Sequence, residues 1–145
     1  MKNSNKKGFT LVELVVVIAI IGVLAAILVP SMMGYVKKSR LKTANGNAKT
    51  AYNAVAEYVT DQETLGKLSD VDDDTAIAGA KSALANNGTD AGLVATDVAK
   101  VVDDGDYTWH VQWKKESSDE MIGQYPEAPA TVAASETLTA VGDFS

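Results

Sequence analysis

The sequence contains no cysteine, three prolines and a single histidine among its 145 residues. Without cysteine there is no disulfide framework, no zinc finger, no iron–sulfur cluster and no thiol nucleophile. Basic side chains are outnumbered, with 13 lysines and arginines against 19 aspartates and glutamates. This balance excludes a strongly basic nucleic-acid binder, and no specific nucleic-acid partner is expected. The hydrophobic content of 46% excludes low-complexity disorder.

The apolar residues are concentrated near the N-terminus. From Phe9 to Val29, 21 consecutive residues include one ionisable side chain, that of Glu13. A helix of this length spans about 32 Å and matches a hydrocarbon core of about 30 Å. The run is longer than the apolar region of a secretory signal peptide, and no small-residue cleavage site follows it. The sequence therefore predicts one membrane-competent helix attached to a small polar domain. A plain single-span anchor stays open at this point.

Glu13 is the unusual residue of the apolar run. A carboxylate inside such a helix costs about 2.5–3.5 kcal/mol on insertion scales, so it usually has a partner or a purpose. One alternative is that Glu13, near the start of the helix, snorkels to the interface. Lysines flank the run on both sides, so the positive-inside rule does not orient it.

The string Gly8-Phe9-Thr10-Leu11-Val12-Glu13 follows a short basic leader and opens the apolar run. It resembles the processing signature of type IV prepilins and pseudopilins, and the resemblance extends to about Arg40. Gly22 and Pro30 fall where members of that family carry a helix-loosening glycine and proline. The resemblance implies that prepilin peptidase removes residues 1–8 as a cytoplasmic leader by cutting between Gly8 and Phe9. It also implies that Phe9 is then N-methylated.

The same resemblance implies an orientation and a set of partners. The precursor would cross the cytoplasmic (inner) membrane once, with the leader inside and the polar domain outside, and would reach an extracellular pilus after assembly. The implied partners are other copies of the chain in a helical homopolymer, prepilin peptidase, the lipid bilayer before assembly, and the inner-membrane assembly platform with its assembly ATPase. Neither enzymatic activity nor a cofactor nor a metal is expected.

Cleavage before Phe9 would create an α-amino cation about one helical turn from Glu13. In a stack of such helices, the Glu13 carboxylate of one subunit can neutralise the Phe9 amine of its neighbour. Such a pair is most valuable where no water competes with it. We therefore expect Glu13 and Phe9 to set the axial register during filament assembly.

The helical period continues beyond the apolar run of residues 9–30. Proline inside a helix costs about 3 kcal/mol and glycine about 1 kcal/mol, so Gly22–Pro30 is predicted to be the part of the helix most able to bend or melt. The alternative is that Pro30 ends the helix. Apolar residues then recur every three or four positions as far as Val59, which predicts an amphipathic continuation over residues 31–60. Asn45-Gly46-Asn47 is a weak point of this continuation, and a kink or an interruption there stays open.

Residues 61–145 are predicted to form an acidic globular head, which makes the fold class α+β and type IV pilin-like. Thr60–Val71 is predicted to connect the amphipathic helix to the rest of the head. Asp74-Thr75 is expected to cap a short alanine-rich helix that Asn87-Gly88-Thr89-Asp90 terminates, and Leu93–Val102 is a second helical candidate.

Antiparallel strands are predicted to complete the head. Tyr107–Trp113 alternates strictly between apolar and polar residues, which predicts a strand whose aromatic face covers the amphipathic helix. A turn is expected at Asp103-Asp104-Gly105-Asp106, before this strand. Further strands are expected near Met121–Tyr125 and over Thr131–Val141.

Two features of the head resemble functional sites without matching them. Asp70, Asp72 and Asp74 have the spacing that opens a calcium loop, but Thr75 and Lys81 stand where the loop needs glycine and glutamate. His110 has no nucleophile or acid at a diagnostic spacing. We interpret the aspartates as a solvated helix start and His110 as a strand residue.

Two functions remain after these exclusions. The first is a pilin that polymerises into an extracellular type IV pilus for adhesion or motility. The alternative is a pseudopilin of a type II secretion or competence DNA-uptake system. Major secretion pseudopilins carry a C-terminal calcium loop, whereas the acidic residues after Pro126 are widely spaced (Glu127, Glu136 and Asp143). The pilin is therefore favoured.

Overall fold

A computed structural model describes residues 7–103 and 108–130 of the chain. Its elements are α1 (Leu11–Thr64), a 3-10 turn (Leu68–Asp70), α2 (Asp73–Asn86), β1 (Leu93–Thr96), α3 (Val98–Asp103), β2 (Val111–Lys114) and β3 (Gly123–Tyr125). The predicted α+β class is confirmed, since a long N-terminal helix is combined with a small antiparallel sheet. The chain divides into two compact units, one up to Val36 and one from Lys37 onward.

Helix α1 is continuous through the two positions where the sequence leaves a break open, which agrees with the predicted continuation. Pro30 lies inside it and does not end it, and the helix is also continuous across Asn45-Gly46-Asn47. The helix is not interrupted at Asn45, whose side chain is used by the tertiary structure. Asn45 Oδ1 accepts a hydrogen bond from the Gln124 amide (3.1 Å), and Asn45 Nδ2 donates to the Pro129 carbonyl (3.0 Å). The polar side chain thereby joins the helix to β3 and to the segment that follows it.

The end of α1 lies within the segment predicted as a connection. The helix extends to Thr64, and Gly66 follows with a φ of 67°. The amide of Lys67 donates to the Gln62 carbonyl (2.8 Å) and that of Gly66 to the Glu63 carbonyl (3.0 Å). These two bonds form a Schellman cap, in which glycine adopts the left-handed conformation without strain.

Asp72 caps the N-terminus of α2. Its Oδ1 accepts a hydrogen bond from the Thr75 amide at 2.8 Å. The predicted cap at Asp74-Thr75 is therefore wrong by two residues, since three consecutive aspartates offer equivalent local signals. Asp73 and Asp74 lie in the first turn, where the helix dipole favours negative charge.

The helix predicted over Leu93–Val102 is wrong in its first half. Leu93–Thr96 is strand β1, and only Val98–Asp103 is helical. The four residues of β1 are too few to show a period, and their conformation is set by antiparallel pairing with β2. Pairing with a distant segment is not readable from local sequence.

The sheet has the order β1–β2–β3, with both pairings antiparallel. Strand β2 begins at Val111, later than predicted, and β3 occupies the second half of the predicted Met121–Tyr125 strand. Tyr107, residues 104–106 of the predicted turn, and the predicted strand Thr131–Val141 lie outside the described residues.

The aromatic face predicted around β2 is buried as expected. The rings of Trp109 and Tyr52 of α1 stack with centroids 5.4 Å apart. Gln112, which lies on the polar side of the alternation, is also fully buried, and its Nε2 donates to Gln124 Oε1 at 2.9 Å. The core joins one face of α1 to α2 and the sheet. The core includes Val55 and Val59 of α1, Leu84 of α2 and Val94 of β1.

Candidate functional site: the N-terminal part of α1

The N-terminal part of α1 presents an apolar surface that is not covered by the rest of the described chain. By length and composition, α1 is the one helix among the described residues that is able to cross a membrane, and none of its most apolar window is buried. Large apolar side chains from Leu11 to Val36 are about half or more exposed. A contiguous apolar surface of this extent indicates contact with lipid or with other proteins.

The bond between Gly8 and Phe9 lies in the non-helical segment that precedes α1. Both residues are exposed, and the Phe9 side chain is 89% accessible. A methyl group placed on Gly8 would meet no atom beyond its two chain neighbours within 4 Å. The structure therefore places the predicted cleavage bond in an accessible, non-helical segment.

Thr10 and Glu13 close the first turn of α1 by exchanging hydrogen bonds. Glu13 Oε2 accepts from the Thr10 amide and Thr10 Oγ1 accepts from the Glu13 amide, each at 3.2 Å. This arrangement is a capping box, which satisfies two of the amide donors left free at a helix N-terminus. The Glu13 carboxylate thus has a partner within its own chain. Sequence reasoning missed Thr10, although the Thr-x-x-Glu spacing before an apolar run is a capping-box signal.

Gly22 and Pro30 lie eight positions apart on exposed turns of α1. Pro30 has no amide hydrogen, so the Ala26 carbonyl lacks its usual helical donor. Ser31 follows Pro30 directly, and its hydroxyl donates to the Leu28 carbonyl at 2.8 Å. A methyl group on Gly22 would meet no atom within 4 Å, so close packing inside this chain does not require glycine there.

A basic cluster follows the apolar surface. Its exposed members are Lys37, Lys38, Arg40 and Lys42. Arg40 forms an ion pair with Asp119 of the head, with Nη2 and Oδ2 3.3 Å apart. The positive charges lie near the start of a unit whose remaining sequence is strongly acidic.

Asp72 and His110, which the sequence singles out in the head, have structural partners. Hydrogen bonds, chiefly from the Thr75 amide, lower the pKa of Asp72, whose Oδ2 also accepts from the Tyr58 hydroxyl at 3.3 Å. His110 donates its amide to Asp97 Oδ1 at 2.8 Å, and its Nδ1 lies 3.4 Å from Asp97 Oδ2. Within residues 7–103 and 108–130, no group of three His, Asp or Glu side chains is placed to hold a metal ion.

Comparison with known proteins finds one matching family model and several relatives. Residues 3–29 match the family model described as the prokaryotic N-terminal methylation motif. The chain is 47% identical over 62 residues to the fimbrial protein EcpC of Eikenella corrodens, which covers 43% of this chain and 40% of that protein. It is 38% identical over 61 residues to the type IV major pilin PilA of Myxococcus xanthus, covering 42% and 28% of the two chains.

A third relative is also named as a pilin. The chain is 40% identical over 77 residues to the type IV major alpha-pilin of Moraxella bovis, covering 44% of this chain and 48% of that protein. The chain thus spans less than half the length of these relatives. No solved structure matches it significantly.

Proposed function

We propose that this chain is a type IV pilin, the structural subunit of an extracellular pilus, on the basis of its N-terminal methylation motif and its similarity to fimbrial and pilin proteins. The observation that carries the proposal is the position of the methylation motif. The motif ends at residue 29 and therefore covers most of the helical surface that the described chain leaves exposed. A surface of this kind is satisfied by lipid before assembly and by the helices of other subunits after assembly.

In this proposal the subunit is first a membrane-anchored precursor with its leader in the cytoplasm. Prepilin peptidase cuts the accessible bond between Gly8 and Phe9 and methylates the Phe9 amine. Removal of Lys2, Lys6 and Lys7 leaves 10 basic against 19 acidic side chains, so the formal charge changes from −6 to −9. The processed subunits then leave the inner membrane through an assembly platform driven by an ATPase.

Assembly requires a partner for each apolar helix and each buried charge. The Glu13 carboxylate of one subunit pairs with the Phe9 amine of its neighbour, which fixes the axial register. Gly22 and Pro30 weaken the intervening helix and allow it to bend or melt as helices pack together. These roles are supported by the exposure of Glu13, Gly22 and Pro30 on α1 and of Phe9 in the segment before it.

The test is made in the source bacterium with its gene for this chain deleted and then restored. We expect sheared surface filaments to disappear on deletion and to return on complementation, with this chain as their main component. Intact mass should show a subunit that starts at Phe9 and carries one additional methyl group. Loss of secretion or DNA uptake without loss of surface filaments would instead identify a pseudopilin. A filament subunit that keeps residues 1–8 would contradict the processing step.

A further inference from the structure

The head contains a small, mainly apolar pocket. Its volume is about 130 Å³, and it lies between α1 and the segment that joins β2 to β3. Its lining includes Thr43, Ala44, Trp113 and Met121. An apolar cavity of about 150 Å³ is large enough to hold benzene, so this pocket accommodates one leucyl side chain.

Two basic side chains and one carboxylate also line the pocket. Asp119 Oδ1 accepts a hydrogen bond from the Met121 amide at 3.0 Å, while its Oδ2 pairs with Arg40 at 3.3 Å. The Asp119 side chain is 11% accessible, whereas 55% of the Arg40 side chain remains accessible. The exposed Lys115 lines the same pocket. The outer edge of the pocket therefore favours an apolar side chain that has a carboxylate beside it.

Leu65, directly after α1, has both of these properties. Among residues 37–103 and 108–130 it is the one large apolar residue that is exposed, with 65% of its surface accessible. Its amide donates to the Asp61 carbonyl at 3.1 Å, so Leu65 lies one helical turn beyond Asp61. Residues four positions apart are neighbours on a helix surface, and Asp61 is also exposed. Leu65 is therefore an exposed apolar side chain with a carboxylate beside it.

Leu65 does not reach the pocket of its own chain. Thr43 at the pocket and Thr64, the residue before Leu65, lie on the same continuous helix. At about 1.5 Å of rise per residue they are roughly 32 Å apart. A Leu65 side chain that enters the pocket therefore belongs to a second copy of the chain.

We propose that Leu65 of one copy docks into the pocket of a second copy, with the Asp61 carboxylate facing Arg40 and Lys115. This contact rests on the proposed assembly of the chain into a pilus. Its two surfaces differ, so it is heterologous, and each copy offers both a pocket and a Leu65 to further copies. Repetition of the contact gives an open row in which successive copies are displaced by roughly 32 Å along α1.

The absence of cysteine allows a direct test by disulfide formation between copies. The full chain receives Thr43→Cys at the pocket and Thr64→Cys beside Leu65, and filaments sheared from the cells are oxidised. A matched control pairs Thr43→Cys with Ser82→Cys on α2. Ser82 resembles Thr64 in being exposed and in donating its hydroxyl to the carbonyl four residues earlier. We expect a ladder of disulfide-linked multimers on non-reducing electrophoresis, formed at least tenfold faster than in the control pair.

Further variants in the Thr43→Cys, Thr64→Cys background separate docking from simple proximity. Leu65→Ala should slow ladder formation about tenfold, which corresponds to about 1.4 kcal/mol, while the similar volume of methionine lets Leu65→Met retain most of the rate. Asp61→Asn and Lys115→Gln should each slow the reaction, with effects that decrease at high salt. Their double variant should be little slower than the slower single variant, because both substitutions remove the same charge contact.

The outcomes distinguish this contact from the proposed function. If filaments form normally, equal rates in the two cysteine pairs or no effect of Leu65→Ala would overturn the contact and leave the proposed function standing. A product that stops at the dimer would show a closed pair of copies and would also overturn it. If the parent strain carries no filaments of this chain, the proposed function fails, and the contact that rests on it fails as well.

Discussion

Thr10 and Glu13 stabilise the start of α1 through two reciprocal hydrogen bonds of 3.2 Å, each between one side chain and the other residue's amide. The sequence predicts a second role for the same carboxylate, that of pairing with the Phe9 amine of a neighbouring subunit. Glutamine also fits the third helical position of a capping box, but unlike glutamate it carries no charge. The two roles of Glu13 are therefore separable by mutation.

The first prediction concerns Glu13→Gln and Thr10→Ala. Glu13→Gln keeps the cap and removes the charge, so we expect membrane insertion and processing to persist while sheared surface filaments are lost. Thr10→Ala weakens the start of the helix by about 0.5–2 kcal/mol and keeps the charge, so filaments should persist. The measurement compares filament-bound with membrane-retained subunit in each variant and in wild type.

Glu13→Ala removes both interactions and is the reference for the comparison. It should insert into the membrane at least as well as wild type, because a carboxylate in an apolar helix opposes insertion. Normal filament yield from Glu13→Gln would eliminate the proposed role of the charge in axial register. Loss of filaments from Thr10→Ala alone would show that the helix cap is what assembly requires.

The second prediction concerns the cleavage site. Alanine at Gly8 would meet no atom beyond its two chain neighbours within 4 Å, so Gly8→Ala introduces no steric clash with the rest of the chain. We expect it to block cleavage, because a Cβ hinders the close backbone approach that a peptidase needs. Gly22→Ala is equally unhindered, and since it lies inside α1 it should be processed normally and stabilise the helix by about 1 kcal/mol. Intact mass distinguishes the products, and normal cleavage of Gly8→Ala would contradict the requirement for glycine.

The third prediction concerns the contact between β3 and α1. A methyl group on Gly123 would overlap the backbone of Ala44 and Asn45. Backbone cannot rotate away as a side chain does, so Gly123→Ala should lower the free energy of unfolding by about 1–3 kcal/mol or more. Gly79→Ala is the matched control, because Gly79 lies inside α2 with open space around it and alanine favours the helix by about 1 kcal/mol. Denaturant unfolding of the head, followed by tryptophan fluorescence, should move in opposite directions for the two variants.

The fourth prediction concerns the pH dependence of Asp73. Burial, with the nearby carboxylates of Asp97 and Asp72, raises the pKa of Asp73 above the unfolded value of about 3.9. The stabilisation that comes from keeping the Asp73 carboxyl group neutral in the folded state is present below the unfolded pKa. It is lost as the pH rises through the folded pKa. Asparagine stays neutral and can still accept the Ala99 amide, which lies 3.0 Å from Asp73 Oδ1. Asp73→Asn should therefore be more stable than wild type at pH 7, with the difference vanishing below about pH 4.

Asp72→Asn is the control of opposite sign. The Thr75 amide, followed by weaker hydrogen bonds, lowers the pKa of Asp72, so its stabilisation is present above the unfolded pKa and is lost as the pH falls through the folded pKa. This variant should be less stable than wild type at pH 7. Thermal unfolding from pH 3 to pH 7 checks both variants, and a shift of the same sign in both would contradict the assignment of Asp73.

The amino-acid sequence predicts most of α1 because the signals for it are local. The uninterrupted apolar run identifies the membrane-competent part, and the spacing of Leu41, Ala44, Ala48, Val55 and Val59 identifies the face that is buried. The exposed Gly8–Phe9 segment and Glu13 are likewise found from a contiguous string. The capping role of Thr10 can also be predicted from the sequence, since its partner is three residues away and the spacing of a capping box is a property of one helical turn.

Tertiary structure alone decided the features that depend on distant partners. Asn45, which locally weakens a helix, is retained within α1 because its side chain bonds to Gln124 and Pro129. Leu93–Thr96 is a strand because β2 pairs with it, and Gln112 is buried because Gln124 satisfies its amide. A polar group is buried when another group completes its hydrogen bonds, and a short strand forms when a neighbour supplies its ladder. Those partners lie 12 to 84 residues away along the chain, beyond the reach of any local pattern.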